Sequence, residues 1–333
     1  MYKVSVVVPV YNVEKYIVRC AECLFRQTLD EMQFIFVDDA SFDNSIALLE
    51  QTIERFPERK PHTIILRHPE NLGLPTTRAT GLANVEAPFV SHCDSDDYVE
   101  FNMYARLYET AIQNGSDLVF CGWKMHYPNG YIYMSFDKLA SGDSLICNYL
   151  YENLSPYVWC LLTRTDIYRR IKFPTENFLE DWVQTAQLLT FAQHVSFLNE
   201  ALYHHDVRAM SITTDRRLEV IERKVQQCMT NYKLMHDFLM EHHPVEEKDF
   251  VFKKIMVRYR YLPQIGRWEI WKQYLQTFPE INFNILFNRK IPMLYKGTHL
   301  LVLFGLYPVA RPVYDFIKKM WYTLLPPNRR LLS

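Results

Sequence analysis

The sequence predicts an α/β fold: a doubly wound, mostly parallel sheet followed by a helical C-terminal extension. Three observations carry this. Nearly continuous apolar runs such as Val-Ser-Val-Val-Val-Pro-Val at residues 4–10 mark strands buried on both faces. Stretches of helical periodicity alternate with these runs through residues 1–125. Polar and acidic residues recur just past the carboxyl ends of the runs, where open parallel sheets hold their ligands.

The elements follow in order. After the first strand, Asn12 is expected to cap a helix with Tyr16, Ile17, Cys20, Cys23, Leu24 and Gln27 at helical spacing. Phe34-Ile35-Phe36-Val37 forms a second strand, ending at Asp38-Asp39-Ala40-Ser41. Ser41 reads as the cap of a helix that buries Ile46, Leu49, Ile53 and Phe56. Thr63-Ile64-Ile65-Leu66 is a third strand, Asn71-Leu72-Gly73 a turn, and a short helix carries Arg78, Leu82 and Ala83. Residues 89–93 form a fourth strand, residues 101–113 a helix and residues 117–121 a fifth strand. Residues 124–134 read as a hairpin around Pro128-Asn129-Gly130. Beyond about residue 140 the chain turns helical, interrupted by a short strand at residues 195–198. The expected domains are residues 1–215, divided into two halves (1–125 and 126–215), and a helical region at 216–333.

The most informative stretch is Phe89-Val90-Ser91-His92-Cys93-Asp94-Ser95-Asp96-Asp97-Tyr98, an apolar run that ends at three carboxylates. Like charges this close raise one another's pKa unless a cation neutralises them. Read as an extended strand end, the segment sends Asp94 and Asp96 to the same side, where they could share one ion. The natural partner is a hard divalent cation with oxygen ligands, Mn2+ or Mg2+, which commonly keeps substrate phosphates in its shell. The plainer reading is an acidic turn that caps the next helix. Tyr11, Asp39 and the Asp94 cluster each lie just past a strand's carboxyl end, and this convergence argues for a ligand site. No GxGxxG follows the first strand and no GxxxxGK[ST] occurs, which disfavours dinucleotide and P-loop sites.

Composition narrows the remaining choices. The chain has 333 residues, 49% hydrophobic and 23% charged, as expected of a globular protein. A net charge of −1 gives no general attraction to nucleic acid. Seven cysteines without framework spacing suggest a reducing compartment, with Cys20 and Cys23 as core thiols. The start Met1-Tyr2-Lys3 leads straight into a strand without a signal peptide, and no run of about 18 apolar residues occurs, so a cytoplasmic protein is expected. His204 and His205 beside Asp206 have metal-binding side chains, but neighbours on a strand diverge, so no metal site is expected there. Residues 289–333 carry eight Lys or Arg against the single acid Asp315, a balance of +7 that leaves −8 for the rest. This tail also holds the apolar run His299-Leu300-Leu301-Val302-Leu303-Phe304-Gly305-Leu306-Tyr307. It is too short to span a bilayer and suits a segment lying on an anionic membrane surface; the alternative is a helix packed on the protein with its basic face in water.

Taken together, Val4 through Asn12, Val37-Asp38-Asp39-Ala40-Ser41, Asn71-Leu72-Gly73 with Arg78 and Gly81, and Asp94-Ser95-Asp96-Asp97 resemble the inverting family 2 glycosyltransferases of GT-A type fold. The likeness continues more loosely through Trp159, Glu180-Asp181 and residues 203–213. It implies a nucleotide-diphospho-sugar donor, most often UDP-linked. Tyr11 would stack on the base with Pro9 beside it, and Asp39 would accept a hydrogen bond from the base imide. Arg78 would hold the nucleotide or its phosphates. Asp96, with Asp94 and Ser95 nearby, would hold Mn2+ or Mg2+ against the diphosphate, and His205 and Arg208 could fold over it. Asp181 would be the base that takes a proton from a glycan or lipid-linked acceptor. Two departures from the family pattern are Cys160-Leu161-Leu162-Thr163-Arg164 after Trp159 and Ala79-Thr80 after Arg78. The competing readings are a nucleotidyltransferase, which wants a glycine-rich basic phosphate loop, and a non-catalytic sugar- or nucleotide-binding protein, which would leave Asp181 far from the acidic cluster.

Overall fold

The computed structural model describes residues 1–127, 130–136, 144–207, 217–265, 267–289, 291 and 293–324. The chain divides into two compact units. One comprises Met1–His126, Tyr133–Asp137 and Pro156–Asp206, the other Tyr127–Ile132, Lys138–Ser155 and Val207–Ser333.

The first unit is built on a sheet of β1 (Val4–Val10), β2 (Met32–Asp38), β3 (Thr63–Arg67), β4 (Phe89–His92), β5 (Tyr98–Val99), β6 (Leu118–Tyr127), β7 (Gly130–Met134), β8 (Leu161–Arg164) and β9 (Val195–Asp206). The strands lie in the order β3-β2-β1-β4-β8-β6-β9-β5, with β7 beside β6. All of β1, β2 and β4 is buried, as their unbroken apolar runs require. The run β3-β2-β1-β4 is parallel, as expected. Beyond it the sheet is mixed: β8 runs antiparallel to both β4 and β6, β9 is parallel to β6, and β5 is antiparallel to β9. The helices α1 (Ile17–Phe25), α2 (Ser45–Glu54), α3 (Leu74–Ala83) and α4 (Met103–Asn114) connect the strands of the first half. Helix α3 lies so close to the sheet that a Cβ on Gly81 would stand 2.3 Å from Val7 Cγ1, which fixes glycine there.

Two expected caps are not caps. Helix α1 begins only at Ile17, and Asn12 sits at φ 52° with its Oδ1 accepting from Phe42 N–H at 3.1 Å. Ser41 Oγ accepts from Asn12 N–H at 3.2 Å, and α2 begins later, at Ser45. Both side chains instead stitch the loop after β1 to the loop after β2. Likewise β4 ends at His92, so the carboxylates of residues 94–97 stand on a turn rather than a strand.

The chain continues through α5 (Leu145–Leu150), α6 (Thr165–Tyr168) and α7 (Glu180–Phe191). The second unit contains α5 together with α8 (Leu218–His242), α9 (Val251–Arg258), α10 (Trp268–Gln276), α11 (Ile281–Phe287), α12 (Met293–Leu303) and α13 (Tyr307–Leu324). Val251, Phe252, Ile255, Ile281, Ile285 and Ile291 form one of its cores. No helix among the described residues is long and apolar enough to cross a membrane. The apolar run at residues 299–307 is partly core, since His299 and Val302 are buried, whereas Phe304 is 77% exposed. Of the expected hairpin, β6 and β7 pair on either side of residues 128–129, which lie outside the described residues.

Candidate active site

The strand ends bring most of the expected residues to one edge. Pro9 is buried in β1, paired with Val37. Tyr11 follows β1 with 44% of its surface exposed, edge-on to Phe42 at 6.3 Å. Asp39 N–H donates to Val10 O at 2.9 Å, so the ends of β1 and β2 adjoin. The Asp39 carboxylate is buried and holds the next loop: it accepts from Leu72 N–H (2.8 Å) and Gly73 N–H (2.9 Å) and pairs with His68 Nδ1 (2.8 Å). Gly73 stands at φ 87°, and a Cβ there would meet Asn177 Oδ1 at 2.5 Å, so the turn needs glycine on both counts.

The acidic turn is centred on Asp97, which is fully buried. Its Oδ2 accepts from Tyr203 OH (2.9 Å) and lies 3.0 Å from His205 Nδ1, and its Oδ1 accepts from Asp206 N–H (3.1 Å). Tyr203 OH in turn accepts from Asp94 N–H at 3.1 Å, so one phenol spans the turn. Burial raises the pKa of Asp97, opposed by the His205 bond. Burial also works against a charge on His205, but its bond to Asp97 and the surrounding acids outweigh this and raise its pKa. His205 is thus tied to the acidic turn through Asp97. Arg208 lies outside the described residues. Arg19 braces the turn from α1, donating to Asp96 O (3.0 Å) and pairing with Asp206 (2.7 Å).

One carboxylate oxygen from each of Asp94, Asp96 and Asp97 can lie within 4.8 Å of the others. Ser95 is buried between them. Such an all-carboxylate set suits a hard divalent cation. Asp97 is engaged by three donors.

Arg78 reaches the acidic turn from α3. It is 1% exposed, and its guanidinium faces carboxylates: Nη2 donates to Asp94 Oδ1 at 2.8 Å, while Nη1 donates to Glu180 and lies 3.4 Å from Asp181 Oδ1. A guanidinium presents its donors as a rigid planar fork and can serve several acids at once. Asp181, the second residue of α7, keeps 18% of its side chain exposed. Burial pushes its pKa up to about 6 and Asp94 adds to this, while Arg78 and the Val158 N–H oppose it. One guanidinium thus joins Asp94 to Asp181. Sequence reasoning missed this bridge because its two ends are 103 residues apart along the chain from Arg78 to Asp181. It missed Asp97 as the hub of the turn for the same reason, since Tyr203 and His205 lie far along the chain.

A mixed α/β sheet with acidic loops gathered at its strand ends is the architecture of a GT-A glycosyltransferase. The chain belongs to glycosyl transferase family 2, whose profile matches residues 5–172. It is 31% identical over 221 residues to the uncharacterized glycosyltransferase EpsJ of Bacillus subtilis, covering 63% of this chain and 62% of EpsJ. It is 26% identical over 224 residues to the glycosyltransferase GlyA of Streptococcus pneumoniae, covering 63% of this chain and 31% of GlyA. The matches therefore span less than two thirds of either relative. Among solved structures, Staphylococcus aureus TarS 1–349 in complex with UDP-GlcNAc shares the fold, with a TM-score of 0.61 at 18% identity over 96% of this chain and 92% of that one. So does the mannosyltransferase PcManGT of Pyrobaculum calidifontis in complex with GDP-Man and Mn2+, with a TM-score of 0.56 at 14% identity over 96% of this chain and 88% of that one.

Proposed function

We propose that this glycosyltransferase moves a sugar, with inversion, from a UDP-sugar to a hydroxyl of a glycan or lipid-linked acceptor. The observation that carries the reading is the link Asp94–Arg78–Asp181, which sets a carboxylate whose pKa is raised to about 6 beside the acidic turn. A general base works best with a pKa near the operating pH. The non-catalytic alternative wants Asp181 remote from that turn, and the link speaks against it.

In the proposed mechanism Tyr11 stacks on the base, with Pro9 and Asp39 forming the floor behind it. The diphosphate would lie against the turn, where Asp94 and Asp96 would hold Mn2+ or Mg2+. The ion, when bound, offsets the charge that builds on the leaving diphosphate. Asp181 takes the proton from the acceptor hydroxyl as its oxygen attacks the anomeric carbon opposite the diphosphate. The glycosidic bond forms, the carbon–phosphate-oxygen bond breaks, and UDP leaves with the electron pair. The complex of a structural neighbour with UDP-GlcNAc supports a uridine donor. The basic tail at 289–333, with Phe304 and Leu306 exposed at the corner between α12 and α13, supports attachment to an anionic membrane surface.

The test is thermal stabilisation by UDP, GDP, CMP and ADP, each with Mn2+ and with EDTA. A ligand that binds only the folded state raises the midpoint by mass action. A shift with UDP and Mn2+ that EDTA abolishes is expected. No shift with any nucleotide would sink the proposal.

A further inference from the structure

Helix α7 opens with two acids, and only one of them is suited to act as the base. Glu180 is 2% exposed, and its two oxygens are taken from opposite sides: one accepts from Arg78 Nη1, the other from Gln184 Nε2. Gln184, fully buried one turn along α7, accepts in turn from the buried Tyr168 OH at 2.6 Å. The result is a chain of hydrogen bonds, Tyr168–Gln184–Glu180–Arg78–Asp94, that runs from α6 through α7 and α3 to the acidic turn.

We infer that Glu180 is a positioning residue that holds the Arg78 guanidinium away from Asp181, leaving that carboxylate weakly held and turned toward the acceptor. This deepens the reading of Asp181 as base and rests on it. A guanidinium buried to 1% exposure requires a compensating carboxylate. Asp94 sits on one edge of the fork. On the other, Nη1 is shared unequally: Glu180 is held in full contact, whereas Asp181 stands 3.4 Å away. Without the Glu180 charge, Asp181 becomes the nearest anion to Nη1 and closes onto it. A base captured in that way is more acidic, weaker and aimed at arginine instead of substrate.

The groups around the pair are accounted for. Asp94 and Glu180 are its acids. Tyr168 is buried, which drives its pKa far up, so it stays a neutral donor. His92 lies 5.1 Å from Tyr168, and burial followed by the Arg78 charge holds its pKa well below the usual range, so it stays uncharged.

The test is Glu180→Gln, which keeps the shape and the contact to Gln184 but removes the charge. The readout is UDP release to water from whichever of UDP-GlcNAc, UDP-glucose and UDP-galactose the wild type turns over, followed against pH. Expected are a kcat about 10- to 100-fold lower at neutral pH, in line with misplacement of a reacting group by about 1 Å, a donor KM within about twofold of wild type, and an acid limb displaced to lower pH. Tyr168→Phe, which cuts the far end of the chain, should move kcat in the same direction by about two- to fivefold, and it carries the test if Glu180→Gln fails to fold. Wild-type kcat and an unmoved acid limb in both variants would overturn the inference while leaving Asp181 as base. A donor KM raised tenfold with kcat kept would overturn it too, and return Arg78 to the donor phosphates. A wild type that neither binds UDP nor releases it from any donor would overturn the proposed function along with it.

Discussion

Each unit buries an arginine completely, and the two are treated in opposite ways. In the helical unit Arg258 spends its donors on main-chain carbonyls just past α10: Nε on Thr277 O and Nη2 on Phe278 O at 2.6 Å. No acid touches it in these bonds, and burial lowers its pKa to about 10. In the sheet unit burial also works against the charge of Arg78, but Asp94 and Asp181 outweigh it and its pKa is raised. The two lysines beside Arg258 follow the structural pattern, Lys253 with Glu152 and Lys254 with Glu247 and Glu280. Around Arg78 the acids outnumber the cation, so negative charge is left over. A surplus of buried charge is costly to keep, and it stands where a substrate or ion can draw on it. Arg258 is a brace, and Arg78 is part of a site.

The largest test of this contrast is Asp181→Asn, which removes the base but none of the donor contacts. Turnover should fall by about 100- to 10,000-fold, the usual contribution of general base catalysis, with UDP-induced stabilisation intact. Unchanged turnover alongside tight UDP binding would remove Asp181 from the chemistry. Second is the pH profile. A base must be ionised to act, and the Asp181 pKa is pushed up to about 6. The rate should therefore be flat above that pH and fall about tenfold per unit below it, whereas an acid limb near 4 would mean that burial leaves Asp181 unperturbed.

Third, Arg258→Met should cost about 2 to 3 kcal/mol of stability through the stranded carbonyls, read from urea unfolding, with turnover per folded molecule retained. A loss of turnover without a loss of stability would break the contrast. The smallest effect is expected at the exposed corner between α12 and α13. Phe304→Ser with Leu306→Ser should weaken sedimentation with anionic vesicles about several-fold, since shallow insertion at the interface recovers only part of the roughly 1.5 to 3 kcal/mol that each side chain gains on full burial. Undiminished sedimentation would assign vesicle binding elsewhere.

What could be read in the sequence follows from how local each signal is. Strands β1, β2 and β4 were legible because a strand covered on both faces is mostly apolar, and the loops after them carry short motifs of fixed spacing. Strand β8 was not: four residues between a tight turn and a short helix have no period, and only pairing with β4 and β6 makes them a strand. The caps assigned to Asn12 and Ser41 failed because each found a partner about 30 residues away instead of in its own helix. The carboxylate partners of Arg78 at residues 180 and 181 were not legible, since they are joined to it only by the fold. The apolar stretch at 299–307 allows both a surface segment and a packed helix, and helical winding divides it, with His299 and Val302 in the core and Phe304 outside.

The phenol of Tyr203 bears on how such an enzyme can be redesigned. It joins the first and last acids of the turn, yet it lies on β9, more than a hundred residues downstream. A loop graft that carries only residues 94–97 into another scaffold would transplant the acids without the template that shapes them. Turn and strand form a two-part cassette, and a chimera that exchanges one should exchange both.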